Sequence, residues 1–219
     1  MIYANIRKFV FYLLSANVGE ILIILVATLL GWPLPLTAIQ LLVLNLVTDG
    51  APALALGLEK GEPDIMNRPP RHPDEPVITR TMLWRILIQG VVDTVVVLAA
   101  FRIGMALYPD NIHHAQTMAF TTLAISELLR AYSARSEHYF LHQIGIFTNK
   151  YMQYAVLTSL VIILAIIYVP ILDPLFDTTF LGATDWLIIL PLIFVPAIAA
   201  EITKLITRRE VEHSRPAAV

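Results

Sequence analysis

The chain has 219 residues, of which 57% are hydrophobic and 15% are charged, and its formal net charge is −2. A mean hydropathy of +0.71 and a charged fraction well below the roughly one quarter of soluble domains exclude an ordinary soluble protein. The absence of cysteine excludes disulfides and thiolate metal sites, and no basic patch interleaved with aromatic residues indicates nucleic acid as a partner.

Six apolar stretches predict an all-α membrane protein with six transmembrane helices, because a span needs roughly 20 apolar residues. We expect a single transport domain over 1–219, with spans at about 9–30, 36–58, 82–107, 114–134, 151–169 and 186–206. The fourth stretch is less apolar than the others.

The segment 59–81 contains five prolines among mixed charges, which favours an extended loop over a helix. Almost all basic residues fall on the side of the six-span zigzag that holds this loop, and Arg102 is the exception. By the positive-inside rule that side is cytoplasmic, so both termini are predicted to be cytoplasmic.

Two polar residues in the first span, Asn17 and Glu20, are three residues apart and therefore share a helical face. Gly19 between them allows a neighbouring helix to approach closely. Ionisable residues at such depth usually mark an ion pathway. The alternative is that these polar groups only hold the helices together by hydrogen bonds.

The second span carries an amide, a hydroxyl and a carboxylate, because Asn45, Thr48 and Asp49 stand at i, i+3 and i+4. Pro52 has no N–H to donate to the carbonyl of Thr48, so the helix is predicted to unwind near Thr48–Pro52 and to free main-chain oxygens. Unwound backbone at membrane depth is tolerated where it is buried in protein or lines a polar cavity. The stretch is thus predicted to be half of an ion site.

Glu127 in the fourth span is a candidate third carboxylate, and Arg130 at i+3 is a candidate partner that would neutralise it. Asp93 in the third span is a further buried acid whose role stays open. Oxygen ligands suit hard cations such as calcium, or manganese, rather than copper or zinc. Because two or three carboxylates in a dry cavity need a divalent ion or protons, we expect calcium to be exchanged for protons.

Three runs carry a resemblance to a known family: Ser15-Ala16-Asn17-Val18-Gly19-Glu20, Leu44-Asn45-Leu46-Val47-Thr48-Asp49-Gly50-Ala51-Pro52-Ala53-Leu54-Ala55-Leu56-Gly57, and Asp64-Ile65-Met66-Asn67-Arg68-Pro69-Pro70-Arg71. They resemble the fifth to tenth transmembrane helices of P-type calcium ATPases, most closely the reticulum type. The resemblance implies a pump in which ATP phosphorylates an aspartate and domain motion alternates access to the site. It also implies the calcium ligands, which are Asn17, Glu20, Asn45, Thr48, Asp49 and Glu127.

The chain has no Asp-Lys-Thr-Gly-Thr motif, so we expect a C-terminal piece without phosphorylation, nucleotide-binding or actuator domains and without catalytic residues. ATP and Mg²⁺ would act only through those domains. The expected partners are the lipid bilayer, the cytoplasmic domains, the first four helices and protons, in a bacterial plasma membrane. Asp64, Arg68 and Arg71 are candidate contacts to the phosphorylation domain. The alternatives are a free-standing cation channel or proton exchanger, and a membrane scaffold that transports nothing.

Overall fold

The computed structural model describes residues 2–61, 76–136 and 139–213, with side chains to residue 206, and these residues form helices and turns without a β-strand. The all-α prediction is confirmed. The elements in chain order are α1 (Ile2–Leu29), α2 (Ala38–Val43), a π-helical segment (Leu44–Asp49), α3 (Gly50–Gly57), α4 (Arg80–Leu107), α5 (Ile112–Ser133), α6 (Leu141–Ile144), a 3-10 helix (Ile146–Thr148), α7 (Lys150–Tyr168), α8 (Asp173–Phe176) and α9 (Ala183–His213).

Five helical runs in the described part of the chain are long and apolar enough to cross a membrane. They are Ile2–Leu29, Ala38–Gly57, Arg80–Leu107, Lys150–Tyr168 and Ala183–Ile206. Many of their large apolar side chains face outward, as expected where the surrounding medium is hydrocarbon. The chain is therefore an integral membrane protein with several membrane-spanning helices.

The fourth predicted span corresponds to α5, which is long enough to cross a membrane but lies outside this apolar set. It packs against α4, α7 and α9, so most of its side chains contact protein. Hydroxyls of Thr117, Thr122 and Ser126 donate to carbonyls of the same helix at 2.7–2.8 Å. A helix enclosed by protein does not need an apolar outer surface, which explains its weaker hydropathy.

The second predicted span differs from the expectation of an unwound segment. Helix continues from α2 through the π-helical segment into α3, and Pro52 lies inside α3. The turns of the helix widen to π geometry over Leu44–Asp49 but the helix does not unwind. The Tyr12 hydroxyl donates to the Thr48 carbonyl at 2.8 Å. An external donor thus replaces the N–H that Pro52 lacks, so the helix has no need to unwind.

α1 and α4 approach each other through two glycines. A Cβ on Gly90 would lie 3.0 Å from Cγ1 of Val18, and a Cβ on Gly19 would lie 3.3 Å from Oδ2 of Asp93. The prediction that Gly19 permits close helix packing is confirmed, and the neighbouring helix is α4.

The predicted loop lies only partly within the described residues. Its candidate contacts Asp64, Arg68 and Arg71 lie outside them. We call the end of the bundle from which this loop leaves α3 the basic end. At the opposite end the hydroxyl of Tyr108 donates to Oδ1 of Asp185 at 3.0 Å, and this hydrogen bond raises the pKa of Tyr108.

Candidate cation-binding site

The buried face of α1 supplies one side of the site. Tyr12, Ala16 and Glu20 lie at four-residue intervals on this face, and all three are buried. Oε2 of Glu20 accepts a hydrogen bond of 2.8 Å from the amide of Asn45, while Oε1 of Glu20 has no hydrogen-bond partner. The first and second predicted spans therefore meet at this carboxylate.

The π-helical segment supplies the second side. The Thr48 hydroxyl lies 2.8 Å from the carbonyl oxygen of Leu44 and 3.0 Å from Oε2 of Glu127 on α5. The carbonyl of Val47 accepts a hydrogen bond of 2.7 Å from the Ser159 hydroxyl on α7. Side chains from three other helices, α1, α5 and α7, contact this irregular turn. Because π-helical turns are frequent at functional sites, a ligand site is expected here.

Asp49 lies at the end of this segment with its side chain fully buried, and neither of its carboxylate oxygens accepts a hydrogen bond. Oε1 of Glu20 and Oε1 of Glu127 are also buried without a partner. The charges of these three carboxylates lie within interaction range of one another. Four unpaired carboxylate oxygens in a buried region are costly unless cations or protons compensate them.

The six predicted ligands are not all brought together. The amide of Asn17 donates to the carbonyl of Leu13 in its own helix at 2.8 Å, and Asn45 is exposed although it contacts Glu20. Within the described ranges no three His, Cys, Asp or Glu side chains lie close enough to hold one metal ion. The carboxylates therefore surround a region and do not converge on a finished coordination sphere.

The predicted pairing of Arg130 with Glu127 is wrong. Nη1 of Arg130 lies 2.6 Å from Oδ2 of Asp93 on α4, and both side chains are almost fully buried. Gln89 also donates to Oδ1 of Asp93 at 3.4 Å. Asp93 is thus neutralised across the α4–α5 interface by the ion pair with Arg130. The Arg130 charge also lies within interaction range of Asp49 and Glu127, but it forms no ion pair with either of them in the described part of the chain.

Comparison with known proteins places this chain in a family. The family model described as "Cation transporting ATPase, C-terminus" matches residues 33–206, which is most of the chain. The chain belongs to this family.

Relatives of this ATPase C-terminal domain include two bacterial proteins and one mammalian protein. It is 44% identical to the calcium-transporting ATPase of Bacillus subtilis over 195 residues, which cover 89% of this chain and 22% of that protein. The chain is 38% identical to calcium-transporting ATPase 1 of Bacillus cereus, and the match covers 93% of this chain and 24% of that protein. It is 33% identical to calcium-transporting ATPase type 2C member 1 of Bos taurus, and the match covers 98% of this chain and 22% of that protein. The chain spans about a quarter of the length of these relatives.

The sequence did not predict a role for two residues that contact the candidate site of this C-terminal domain. Tyr12 donates to the Thr48 carbonyl and lies 3.3 Å from the carbonyl of Glu127, and Ser159 binds Val47. The four-residue spacing of Tyr12, Ala16 and Glu20 could have indicated Tyr12, because it places the phenol on the same face two turns earlier. No comparable signal exists for Ser159, since its helix begins about 100 residues later.

Replacing Tyr12 with phenylalanine is expected to lower the free energy of unfolding of this C-terminal domain by about 1–3 kcal/mol, because the Thr48 carbonyl would remain buried without a donor. The measurement is thermal unfolding followed by the fluorescence of the three tryptophans. Pro52→Ala is the matched second change, since residue 52 would regain an N–H that can bind Thr48. If Tyr12→Phe costs as much in the Pro52→Ala background as in the wild type, the phenol does not replace the proline's absent donor.

Proposed function

We propose that the chain is the transmembrane cation-binding part of an ATP-driven calcium pump. The observation that carries this proposal is the set of four buried carboxylate oxygens without hydrogen bonds on Glu20, Asp49 and Glu127. The relatives named above are calcium-transporting ATPases, which supports calcium as the transported ion. The proposed ligands are Asn17, Glu20, Asn45, Thr48, Asp49 and Glu127.

Charge balance supports counter-transport of protons. The Asp93–Arg130 pair is neutral as a unit, so Glu20, Asp49 and Glu127 together carry up to three negative charges. One calcium ion offsets two of them, and protons offset all three when calcium leaves. Calcium and protons therefore compete for the same oxygens, and we propose that the pump exchanges one for the other.

We propose that the second span is unwound near Thr48–Pro52 when the ion is bound, and that the π-helical segment is where this opening begins. The carbonyls of Val47 and Thr48 accept hydrogen bonds from Ser159 and Tyr12. Such side-chain bonds can be exchanged for an ion without breaking a full helical turn.

Six spans with both termini in the cytoplasm are the proposed topology, and α5 is the span that protein surrounds. Its burial against α4, α7 and α9 supports a crossing that avoids lipid. The bacterial relatives support a bacterial plasma membrane, whereas the reticulum type rests on the three motif runs alone. The rest of the pump would supply the first four helices and the cytoplasmic domains that use ATP and Mg²⁺.

Calcium binding to the purified protein is expected to release protons. Isothermal titration in two buffers of different ionisation enthalpy measures this, because released protons add the buffer's heat to the heat of binding. Between pH 6 and 7 the apparent enthalpy is expected to differ between the buffers, and a magnesium titration serves as the control for hard divalent ions. Equal heats in both buffers would contradict proton exchange, and absence of saturable calcium heat would contradict the ion site itself.

A further inference from the structure

A cavity of about 310 Å³ lies at the basic end of the bundle, between the end of α3 and the beginning of α7. Its polar lining includes Lys60, Lys150 and Asn149, and two tyrosines, Tyr151 and Tyr154, complete it on the α7 side. No residue of the candidate cation site contributes to this cavity, so it belongs to a separate surface.

Among the described residues, the cavity carries positive charge because the acid next to it in the sequence, Glu59, is already neutralised. Glu59 precedes Lys60, but Nε and Nη2 of Arg135 donate to its two oxygens at 2.9 and 3.0 Å. Asn149 donates to the same carboxylate at 2.8 Å. Within the described ranges Lys60 and Lys150 form no ion pair with a carboxylate.

The walls of the cavity are held in place by the same interactions. Nδ2 of Asn149 donates to the carbonyl of Ala55 at 3.1 Å, and its Oδ1 caps α7 by accepting from the N–H of Met152 at 3.2 Å. Arg135 also donates to the carbonyls of Gly145 and Ile146 at 2.8 and 2.9 Å. The lysines thus extend from a preformed surface, and binding there requires little ordering of the main chain.

The aromatic residues around the cavity indicate its depth in the membrane. Tyr151, Tyr154 and Phe147 are 60%, 67% and 79% exposed, and they stand at the first turns of α7 and in the 3-10 helix before it. Tyrosines are enriched at the level of lipid headgroups, where the ring is apolar and the hydroxyl contacts water. A positively charged cavity at this level faces the phosphates of one leaflet.

We propose that this cavity binds the phosphate-bearing headgroup of an anionic phospholipid, with Lys60 and Lys150 as the residues that contact the phosphate. Tyr151 and Tyr154 flank the glycerol region, and the exposed Leu58 contacts the start of an acyl chain. Under the orientation proposed above, the lipid belongs to the cytoplasmic leaflet. The site is independent of calcium binding, so its failure would not count against the pump.

The experiment is native mass spectrometry of the purified protein, including all residues that its gene encodes, titrated with phosphatidylglycerol or with phosphatidylcholine. The wild type is expected to retain phosphatidylglycerol at least about tenfold more tightly than phosphatidylcholine. Because one basic residue near an anionic lipid surface changes affinity by about fivefold, the double change Lys60→Gln with Lys150→Gln is expected to weaken phosphatidylglycerol binding by about 25-fold. Lys60→Arg with Lys150→Arg is expected to restore it.

The matched control removes two exposed cations elsewhere, Arg80→Gln with Arg102→Gln, and is expected to leave lipid retention unchanged. Unchanged unfolding temperatures would show that each variant folds. The proposal is overturned if phosphatidylcholine binds equally well, or if the lysine pair and the control pair have the same effect. It is also overturned if millimolar inorganic phosphate displaces the lipid, since the site would then bind a free anion.

Discussion

Replacing Asp49 with asparagine is expected to abolish calcium binding while making the calcium-free protein more stable. Both oxygens of Asp49 are buried without a hydrogen bond, and Arg130, whose charge lies within interaction range, is already paired with Asp93, so an ion or a proton is needed to compensate the carboxylate fully. Removing a charged oxygen from a calcium site is expected to weaken binding by at least about 100-fold, since the charge of the ligands sets calcium affinity over several decades. Isothermal titration with calcium measures this loss.

Asp49→Asn is expected to weaken calcium binding but to stabilise the calcium-free protein, because the buried carboxylate destabilises the fold when no ion is bound. Burying a charged carboxylate costs more than burying a neutral amide without partners, and the amide removes the charge at nearly the same volume. Thermal unfolding in a calcium chelator is therefore expected to occur at a higher temperature in Asp49→Asn than in the wild type. The stabilising effect of added calcium is expected to disappear in the variant.

Asp110→Asn is the matched control for this substitution. It removes the same charge from an exposed turn residue and is expected to change neither calcium affinity nor the unfolding temperature. If Asp49→Asn lowers stability and leaves calcium binding intact, Asp49 holds the helices together and the carboxylates are not an ion site.

The contacts that could be predicted from the sequence are those set by helical periodicity. Spacing of three and four residues correctly placed Glu20, Thr48 and Asp49 on buried faces, whereas Asn17 is only partly buried and Asn45 is exposed. The structure then joins Glu20 to Asn45 across the first two spans. Periodicity decides which face is buried, and two helices joined by a tight turn leave little freedom about which faces meet.

The contacts that could not be predicted depend on which helices become neighbours. Arg130 has Glu127 one turn away along its own helix, yet its long side chain reaches Asp93 on α4. The second span stays helical because Tyr12 from another helix supplies the donor that Pro52 lacks. The local sequence predicts that a carbonyl lacks its helical donor or that a charge is buried. It does not predict the group that binds that carbonyl or charge, because this group comes from a distant part of the chain.

The Asp93–Arg130 pair is expected to be the most destabilising buried contact to break from one side. Asp93→Ala removes the one carboxylate that is hydrogen-bonded to the buried Arg130 guanidinium, and breaking a buried ion pair from one side costs about 3–5 kcal/mol. Arg130→Met leaves the Asp93 carboxylate in the same position and is expected to cost a similar amount. Tryptophan fluorescence during thermal unfolding measures both changes.

The double variant Asp93→Leu with Arg130→Met separates the charge from the packing. Replacing a buried ion pair by apolar side chains is often neutral or stabilising, so this variant is expected to recover stability to within about 1 kcal/mol of the wild type. Because the pair is neutral as a unit, the double variant is also expected to keep calcium affinity within a few-fold. If it instead binds calcium much more tightly, Arg130 offsets the ligands Asp49 and Glu127 directly, and the pair is part of the ion site. If the double variant is as unstable as either single one, the specific hydrogen bonds of the pair determine how α4 packs on α5.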